Sequence, residues 1–152
     1  MASDYRIRIA TAADVAALAE IERRCFSDPW SPAGILETVQ NETSLALVAG
    51  TEAATVGYLM GRVSGEEGEI LNLAVLPEHR RAGIGADLLE RGLQLLAARG
   101  VREVYLEVRA SNEPALELYR ARGFRPVGVR SHYYRNPRED ALVLRAPISA
   151  PR

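Results

Sequence analysis

The feature that most constrains this chain is an apolar strand that runs into a glycine turn and then a helix. Residues 71–76 read Leu-Asn-Leu-Ala-Val-Leu, Pro77 follows, and the pattern Arg80-x-x-Gly83-x-Gly85 opens an amphipathic segment. The first amides of a helix lack partners within the helix, and the helix dipole adds partial positive charge there. The pattern therefore predicts a backbone site for a phosphate group.

Two nucleotide sites with related glycine patterns do not fit this turn. A Walker loop requires Gly-Lys-Ser/Thr, but the chain contains no lysine. A dinucleotide fingerprint requires a third glycine, at the position where this chain has Leu88. An ordinary strand-to-helix turn with two glycines is the remaining alternative, so the six residues alone leave the ligand open.

Composition indicates a single globular domain, residues 1–152. The hydrophobic fraction is 47%, the charged fraction is 26% and the net charge is -1, which excludes a disordered chain and predicts no attraction to nucleic acid. No segment approaches the ~18 apolar residues of a membrane span, and the first residues do not resemble a signal peptide. The single cysteine, Cys25, excludes a disulfide framework, so we expect a cytoplasmic protein.

Alternation and helical spacing predict the element order β-α-α-β-β-β-α-β-α-β-β. The predicted strands cover 5–9, 43–50, 55–63, 69–76, 103–109, 124–134 and 140–144. Three predicted helices begin at the caps Thr11, Ser31 and Ser111 or Asn112, and a fourth follows the glycine turn. This order predicts an α/β fold with a central twisted, mostly antiparallel sheet of about seven strands flanked by about four helices. Residues 146–152 are predicted to form a loose tail.

The motifs resemble one enzyme superfamily along nearly the whole chain. The glycine pattern resembles the acetyl-coenzyme A (acetyl-CoA) signature of the GNAT N-acetyltransferases, Arg/Gln-x-x-Gly-x-Gly/Ala, and the element order is also theirs. The closer resemblance is to the RimI type, the ribosomal-protein-alanine N-acetyltransferases. It is carried by Leu-Glu-Val-Arg-Ala-Ser-Asn at 106–112, Leu118-Tyr119, Gly123-Phe124, Phe-Ser-Asp-Pro-Trp at 26–30, and Tyr133-Tyr134 before Arg-Glu-Asp at 138–140.

The resemblance implies acetyl-CoA as acetyl donor and a set of residues that bind it. Backbone groups of Leu73, Ala74 and Val75 would hydrogen-bond the pantetheine arm as an added strand. The pyrophosphate would lie on the amides of Arg81, Ala82, Gly83, Ile84, Gly85 and Ala86, with charge from Arg80, and Asn112 would contact the pantetheine side. For the Arg80 and Arg81 side chains, plain solvated charges are the alternative.

Two residues match the catalytic positions of the RimI type. Acetyl transfer requires a neutral amine, and Glu107 stands on the polar face near the end of its strand, where the resemblance places the base. The matching tyrosine, Tyr119, would donate a proton to the leaving thiolate. The alternatives are a surface glutamate paired with Arg109 and a core tyrosine facing the sheet.

The acceptor pocket implied by the resemblance is aromatic and contains no metal. Phe26, Trp30, Tyr133 and Tyr134 would line it, although aromatic residues are more often core. The chain has two histidines and one cysteine, with no metal-ligand spacing, so no metal site is expected.

The predicted activity is acetyl transfer to a protein N-terminal amine, in particular the N-terminal alanine of a small-subunit ribosomal protein. A small-molecule amine, such as an antibiotic or polyamine, is the alternative acceptor, and a non-catalytic acyl-CoA-binding regulator is an alternative of another class. A regulator needs neither Glu107 nor Tyr119. The aromatic tail at 133–140 argues against a small acceptor, by analogy.

Overall fold

The computed structural model describes residues 4–80 and 82–149. The strands are β1 (Arg6–Ile9), β2 (Ser44–Gly50), β3 (Thr55–Ser64), β4 (Glu67–Val75), β5 (Glu103–Arg109), β6 (Arg125–Tyr134) and β7 (Glu139–Pro147). The helices are α1 (Val15–Cys25), α2 (Pro32–Gln40), α3 (Ile84–Ala98) and α4 (Glu113–Arg120), with short 3-10 turns at Ala12–Asp14 and Pro77–His79. The predicted element order and fold class are confirmed.

The sheet has the strand order β1-β2-β3-β4-β5-β7-β6, and only the β4–β5 pair is parallel. Alternation along β2 divides the core in two. Leu45 and Leu47 face the helices α3 and α4, while Ala46 and Val48 face α1 and α2. The sheet is therefore covered by helices on both faces.

The side chains predicted to cap α2 and α4 form the expected hydrogen bonds at the helix N-termini. The Ser31 hydroxyl accepts a hydrogen bond from the Gly34 amide at 3.1 Å, and Pro32 occupies the first turn, where a missing N–H costs nothing. Asn112 caps α4 by accepting from the Ala115 amide at 3.3 Å. These caps fix where α2 and α4 begin.

A β-bulge opens the sheet between β4 and β5. On β3, Met60 pairs with Asn72 while the next residue, Gly61, pairs with Ile70, so Leu71 is an extra residue on β4. The parallel β4–β5 ladder ends at the same point, with the pair Ile70–Leu106. Because a bulge bends its strand, the two strands separate beyond it and leave a slot between 71–75 and 107–109.

The predicted loose tail begins too early. Strand β7 continues through Pro147 because its partner β5 extends the ladder, pairing Val104 with Ala146. Ala146 is fully buried, and the amide of Ile148 donates to the Arg102 carbonyl at 2.8 Å. The last three residues, 150–152, lie outside the described part of the chain.

Candidate active site

The glycine turn lies directly after the slot and shapes the start of α3. Gly83 is the N-cap residue and adopts a left-handed backbone, with φ of 82°, a conformation that other residues reach only with strain. A Cβ at Gly83 would have no atom of the described residues within 4 Å, so this part of the chain leaves open space beside the turn. The amides of 84–86 are in the first helical turn, where no intrahelical acceptor exists. The arrangement can bind an anion through the backbone.

The remaining residues predicted to bind the cofactor lie on β4, in the turn itself and at the cap of α4. Leu73, Ala74 and Val75 lie on the part of β4 that β5 does not pair. The Arg80 Nε donates to the Val75 carbonyl at 2.9 Å, so this side chain braces the turn with its guanidinium exposed. Ala82, Gly85 and Ala86 lie in the turn and first helical turn, and Arg81 lies outside the described residues. Asn112, as the α4 cap, lies just beyond the end of β5.

Glu107 reaches the slot from the polar face of β5, the face that α1 and α2 cover elsewhere. Its side chain is 16% exposed, and its Oε1 accepts from the Arg130 Nε at 2.9 Å. Its Oε2 is buried and, among the described residues, has no hydrogen-bond partner. The predicted alternative, a surface pair with Arg109, is therefore wrong: the ion-pair partner is Arg130, and one carboxylate oxygen is left to accept a proton or a hydrogen bond.

Tyr119 approaches from the opposite face. It lies in α4 at 7% exposure within the cluster that contains Val108 and Phe124, and its ring meets Phe124 edge-on with centroids 5.6 Å apart. Burial is the main cause that raises the pKa of Tyr119, and the nearby Tyr134 adds to it. The phenol therefore remains protonated at neutral pH. Its hydroxyl donates no hydrogen bond to another described side chain, so the core environment and a donor role are compatible.

Tyr133 and Tyr134 form a pair beside Glu107. Their rings meet edge-on with centroids 5.1 Å apart, and Tyr133 is 49% exposed. The neighbouring Glu107 carboxylate is the main cause that raises the pKa of Tyr133, whereas burial raises the pKa of Tyr134 to about 12. Both phenols are neutral donors at neutral pH, next to a carboxylate that accepts.

Phe26 and Trp30 lie in the connection between α1 and α2. Phe26 is 36% exposed, while Trp30 packs against the core between α1, α2 and the sheet. The connection approaches the tyrosines through Ser27, whose hydroxyl donates to the Arg135 carbonyl at 3.3 Å. The aromatic acceptor pocket stays a prediction, with Trp30 partly serving the core.

A buried carboxylate near the slot escaped the sequence analysis. Glu22 in α1 is fully buried and accepts from the Trp30 amide at 2.8 Å, from the Asn72 amide group at 3.0 Å and from the Tyr58 hydroxyl. Burial raises the pKa of Glu22. A glutamate on the apolar face of an amphipathic helix is the signal that could have revealed it.

Among the residues in 4–80 and 82–149, no group of three or more His, Cys, Asp or Glu side chains could hold a metal ion. None of the helices in these ranges is long and apolar enough to cross a membrane.

The family follows from comparison with known proteins. Residues 15–124 match the model of the acetyltransferase (GNAT) family. The chain belongs to this family and is an N-acetyltransferase of the GNAT type.

Similar proteins indicate which kind of GNAT N-acetyltransferase this chain resembles. The [ribosomal protein bS18]-alanine N-acetyltransferase of Escherichia coli K12 is 36% identical over 138 residues, 90% of this chain and 93% of that protein. An N-alpha-acetyltransferase of Sulfurisphaera tokodaii is 34% identical over 158 residues, 95% of this chain and 94% of that protein. The crystal structure of the Escherichia coli ribosomal-protein-S18-alanine N-acetyltransferase superposes with a TM-score of 0.89 at 33% identity, covering 98% of this chain and 97% of that chain. The resemblance to the RimI type is thereby confirmed.

Proposed function

We propose that this protein transfers the acetyl group of acetyl-CoA to the α-amine of a protein N-terminus, specifically the N-terminal alanine of a small-subunit ribosomal protein. The observation that carries the proposal is the slot, with a free oxygen of Glu107 on one face of the sheet and the Tyr119 hydroxyl on the other. The names of the relatives in Escherichia coli and Sulfurisphaera tokodaii support an α-amine acceptor.

The slot and the glycine turn suit the two ends of acetyl-CoA. The unpaired edge of β4 at 73–75 offers backbone donors and acceptors to an extended arm that carries amides. The turn at Gly83 offers open space and free amides to a pyrophosphate, with Arg80 alongside. Asn112 has its side-chain carbonyl engaged in the cap, which leaves its amide group for the arm.

In the proposed chemistry, a base on one face of the sheet removes a proton from the amine, and a hydrogen-bond donor on the other face stabilises the leaving thiolate. A neutral amine attacks the thioester carbon, the C–N bond forms, and the C–S bond breaks. Glu107 takes the proton that the amine loses, directly or through a water. The raised pKa of Tyr119 makes complete proton transfer to a thiolate unfavourable in isolation, so Tyr119 acts first as a hydrogen-bond donor that stabilises the leaving sulfur.

An α-amine is the easier acceptor for one carboxylate. Its pKa is ~7.7 to 8.0 against ~10.4 for lysine, and at ~1.36 kcal/mol per unit a neutral lysine is roughly 3.4 kcal/mol harder to obtain at pH 7. Glu107 is the one acidic side chain that the slot presents on the polar face of β5 beyond the end of the β4–β5 ladder. We place the reaction in the cytoplasm, where a new ribosomal protein is available.

The experiment compares two peptides by mass spectrometry after incubation with acetyl-CoA. The first begins with alanine and carries no lysine; the second has a blocked N-terminus and one internal lysine. We expect acetylation of the first peptide and a reaction at least about a hundredfold slower for the second, from the same difference in amine pKa. Equal rates would refute the α-amine proposal, and reaction of only a polyamine or aminoglycoside would replace it with a small acceptor.

A further inference from the structure

Arg109 is the last residue of β5. It lies where two loops meet, next to Tyr134 and on the side of the slot where the acceptor amine is proposed to bind. The first is the α1–α2 loop, residues 26–31, and the second is the β6–β7 loop, residues 135–138. The Arg109 guanidinium donates to the Arg135 carbonyl at 2.8 Å, to the Pro137 carbonyl at 2.9 Å and to the Ser27 hydroxyl at 3.2 Å. One side chain therefore joins both loops to the central sheet.

The face of the same guanidinium is also occupied. It stacks over the Tyr134 ring, 4.5 Å from the centroid, and its edge lies 3.4 Å from Glu139. Glu139 in turn accepts from the Ser111 amide at 2.7 Å, which extends the connection to the start of α4. A planar cation with several donors can serve three oxygens in its plane and a ring on its face, whereas a lysine ammonium cannot do both.

We propose that Arg109 is a positioning residue that holds the α1–α2 and β6–β7 loops in the shape that accepts the acceptor chain, and so sets acceptor binding without touching acetyl-CoA. Arg109 stacks on Tyr134, and Tyr134 packs edge-on against Tyr133. The Arg130 guanidinium lies over the Tyr133 ring and pairs with Glu107. If the loops move, the acceptor amine loses its alignment with the base. The effect on catalysis rests on the proposed function above. The anchoring of the two loops by Arg109 is independent of that function.

The test uses the full chain with Arg109→Met and Arg109→Lys. For the alanine peptide, we expect KM to rise roughly tenfold to a hundredfold, which corresponds to a loss of about 1.4 to 2.8 kcal/mol in acceptor binding, while KM for acetyl-CoA stays within about twofold of the wild-type value. Arg109→Lys should behave like Arg109→Met because charge alone does not replace the planar fork. Full rescue by lysine, or equal rises in both KM values, would refute the positioning role.

Arg145→Met is the matched control. Arg145 pairs with Glu103 at the other end of β5, far along the strand from both loops. This variant loses an arginine of the sheet and its ion pair but no contact with either loop. It therefore measures how far acceptor KM changes when any such ion pair is lost. We expect acceptor KM to stay within about twofold of wild type, since no reacting group is displaced.

Two further measurements do not depend on activity. Limited trypsin digestion, read by mass spectrometry, should show faster cleavage after Arg135 in Arg109→Met because the carbonyl of this residue loses its partner. Trp30, the single tryptophan, should become more accessible to quenching by acrylamide. Protection and quenching identical to wild type would overturn the proposal even if no peptide were acetylated, whereas a failure of the proposed function alone would leave both changes in place.

Discussion

The backbone angle of Gly83 determines how much free energy a substitution in the glycine turn should cost. Gly83 has φ of 82°, and an L-residue in this left-handed region costs about 1–2 kcal/mol. In Gly83→Ala the protein either keeps the turn and bears the strain, or relaxes the turn and must restore it when acetyl-CoA binds. The loss in free energy of unfolding and the loss in binding free energy should therefore sum to about 1–2 kcal/mol.

Calorimetry and urea denaturation separate the two contributions. If the turn relaxes, acetyl-CoA should bind roughly 5- to 30-fold more weakly with stability unchanged, since ~1.4 kcal/mol corresponds to a factor of ten. If the turn holds, the same energy appears as a loss of stability. Gly83→Val should cost more, because a β-branched side chain is less compatible with this backbone and extends into the space proposed for the phosphate.

Gly85→Ala is the matched control two residues further on. A Cβ there would lie 3.8 Å from Val75 Cγ2 and 3.9 Å from Leu118 Cδ2, which is ordinary contact. Alanine also has the higher helix propensity, by roughly 1 kcal/mol, so this variant should be as stable as wild type or more stable, with acetyl-CoA affinity within about twofold. A Gly83→Ala protein that matches wild type in both stability and affinity would show that the backbone reasoning is wrong.

Three other substitutions test named groups. Glu107→Gln should lower turnover by roughly 10² to 10⁴ without changing acetyl-CoA affinity in calorimetry; near-normal turnover would assign the base role elsewhere. Tyr119→Phe should lower turnover with the same affinity, and unchanged turnover would leave Tyr119 a core residue. Burial raises the pKa of Glu22, so the folded state binds this proton more tightly than the unfolded state does. Relative to Glu22→Gln, the free energy of unfolding should therefore fall as pH rises from the usual glutamate pKa to the raised one. Urea titrations across that window measure it, and a difference independent of pH would contradict it.

The parts of the structure that the sequence predicts well depend on neighbours along the chain. Strand β5 alternates strictly, so its buried and polar faces could be read residue by residue, and the structure buries Val104, Leu106 and Val108 as that pattern predicts. The caps at Ser31 and Asn112 are equally local. The order of the strands within the sheet does not follow from this periodicity.

The parts that could not be predicted depend on contacts between distant segments. Arg130 as partner of Glu107 requires the register of β6 on β7 and of β7 on β5. Strand β7 continues past Leu144 because β5 provides a ladder partner there. The bulge at Leu71 is marked only by Gly61 on the neighbouring strand β3, a signal that can be interpreted only once the pairing of β3 with β4 is known. Each of these follows from tertiary pairing, which one sequence does not display.

The bulge at Leu71 explains why the slot suits an extended ligand that carries amides. Without the extra residue, β4 would stay alongside β5 beyond the Ile70–Leu106 pair, and a continuing parallel ladder would close the site. With it, the backbone groups of 71–75 that point away from β3 face a gap, except the Val75 carbonyl, which accepts from Arg80. A buried group left without a partner costs about 1–3 kcal/mol. A ligand arm with its own amides, laid along this edge, would supply the missing partners. The proposed reacting centre would lie in this gap, with Glu107 on one face of the sheet and Tyr119 on the other.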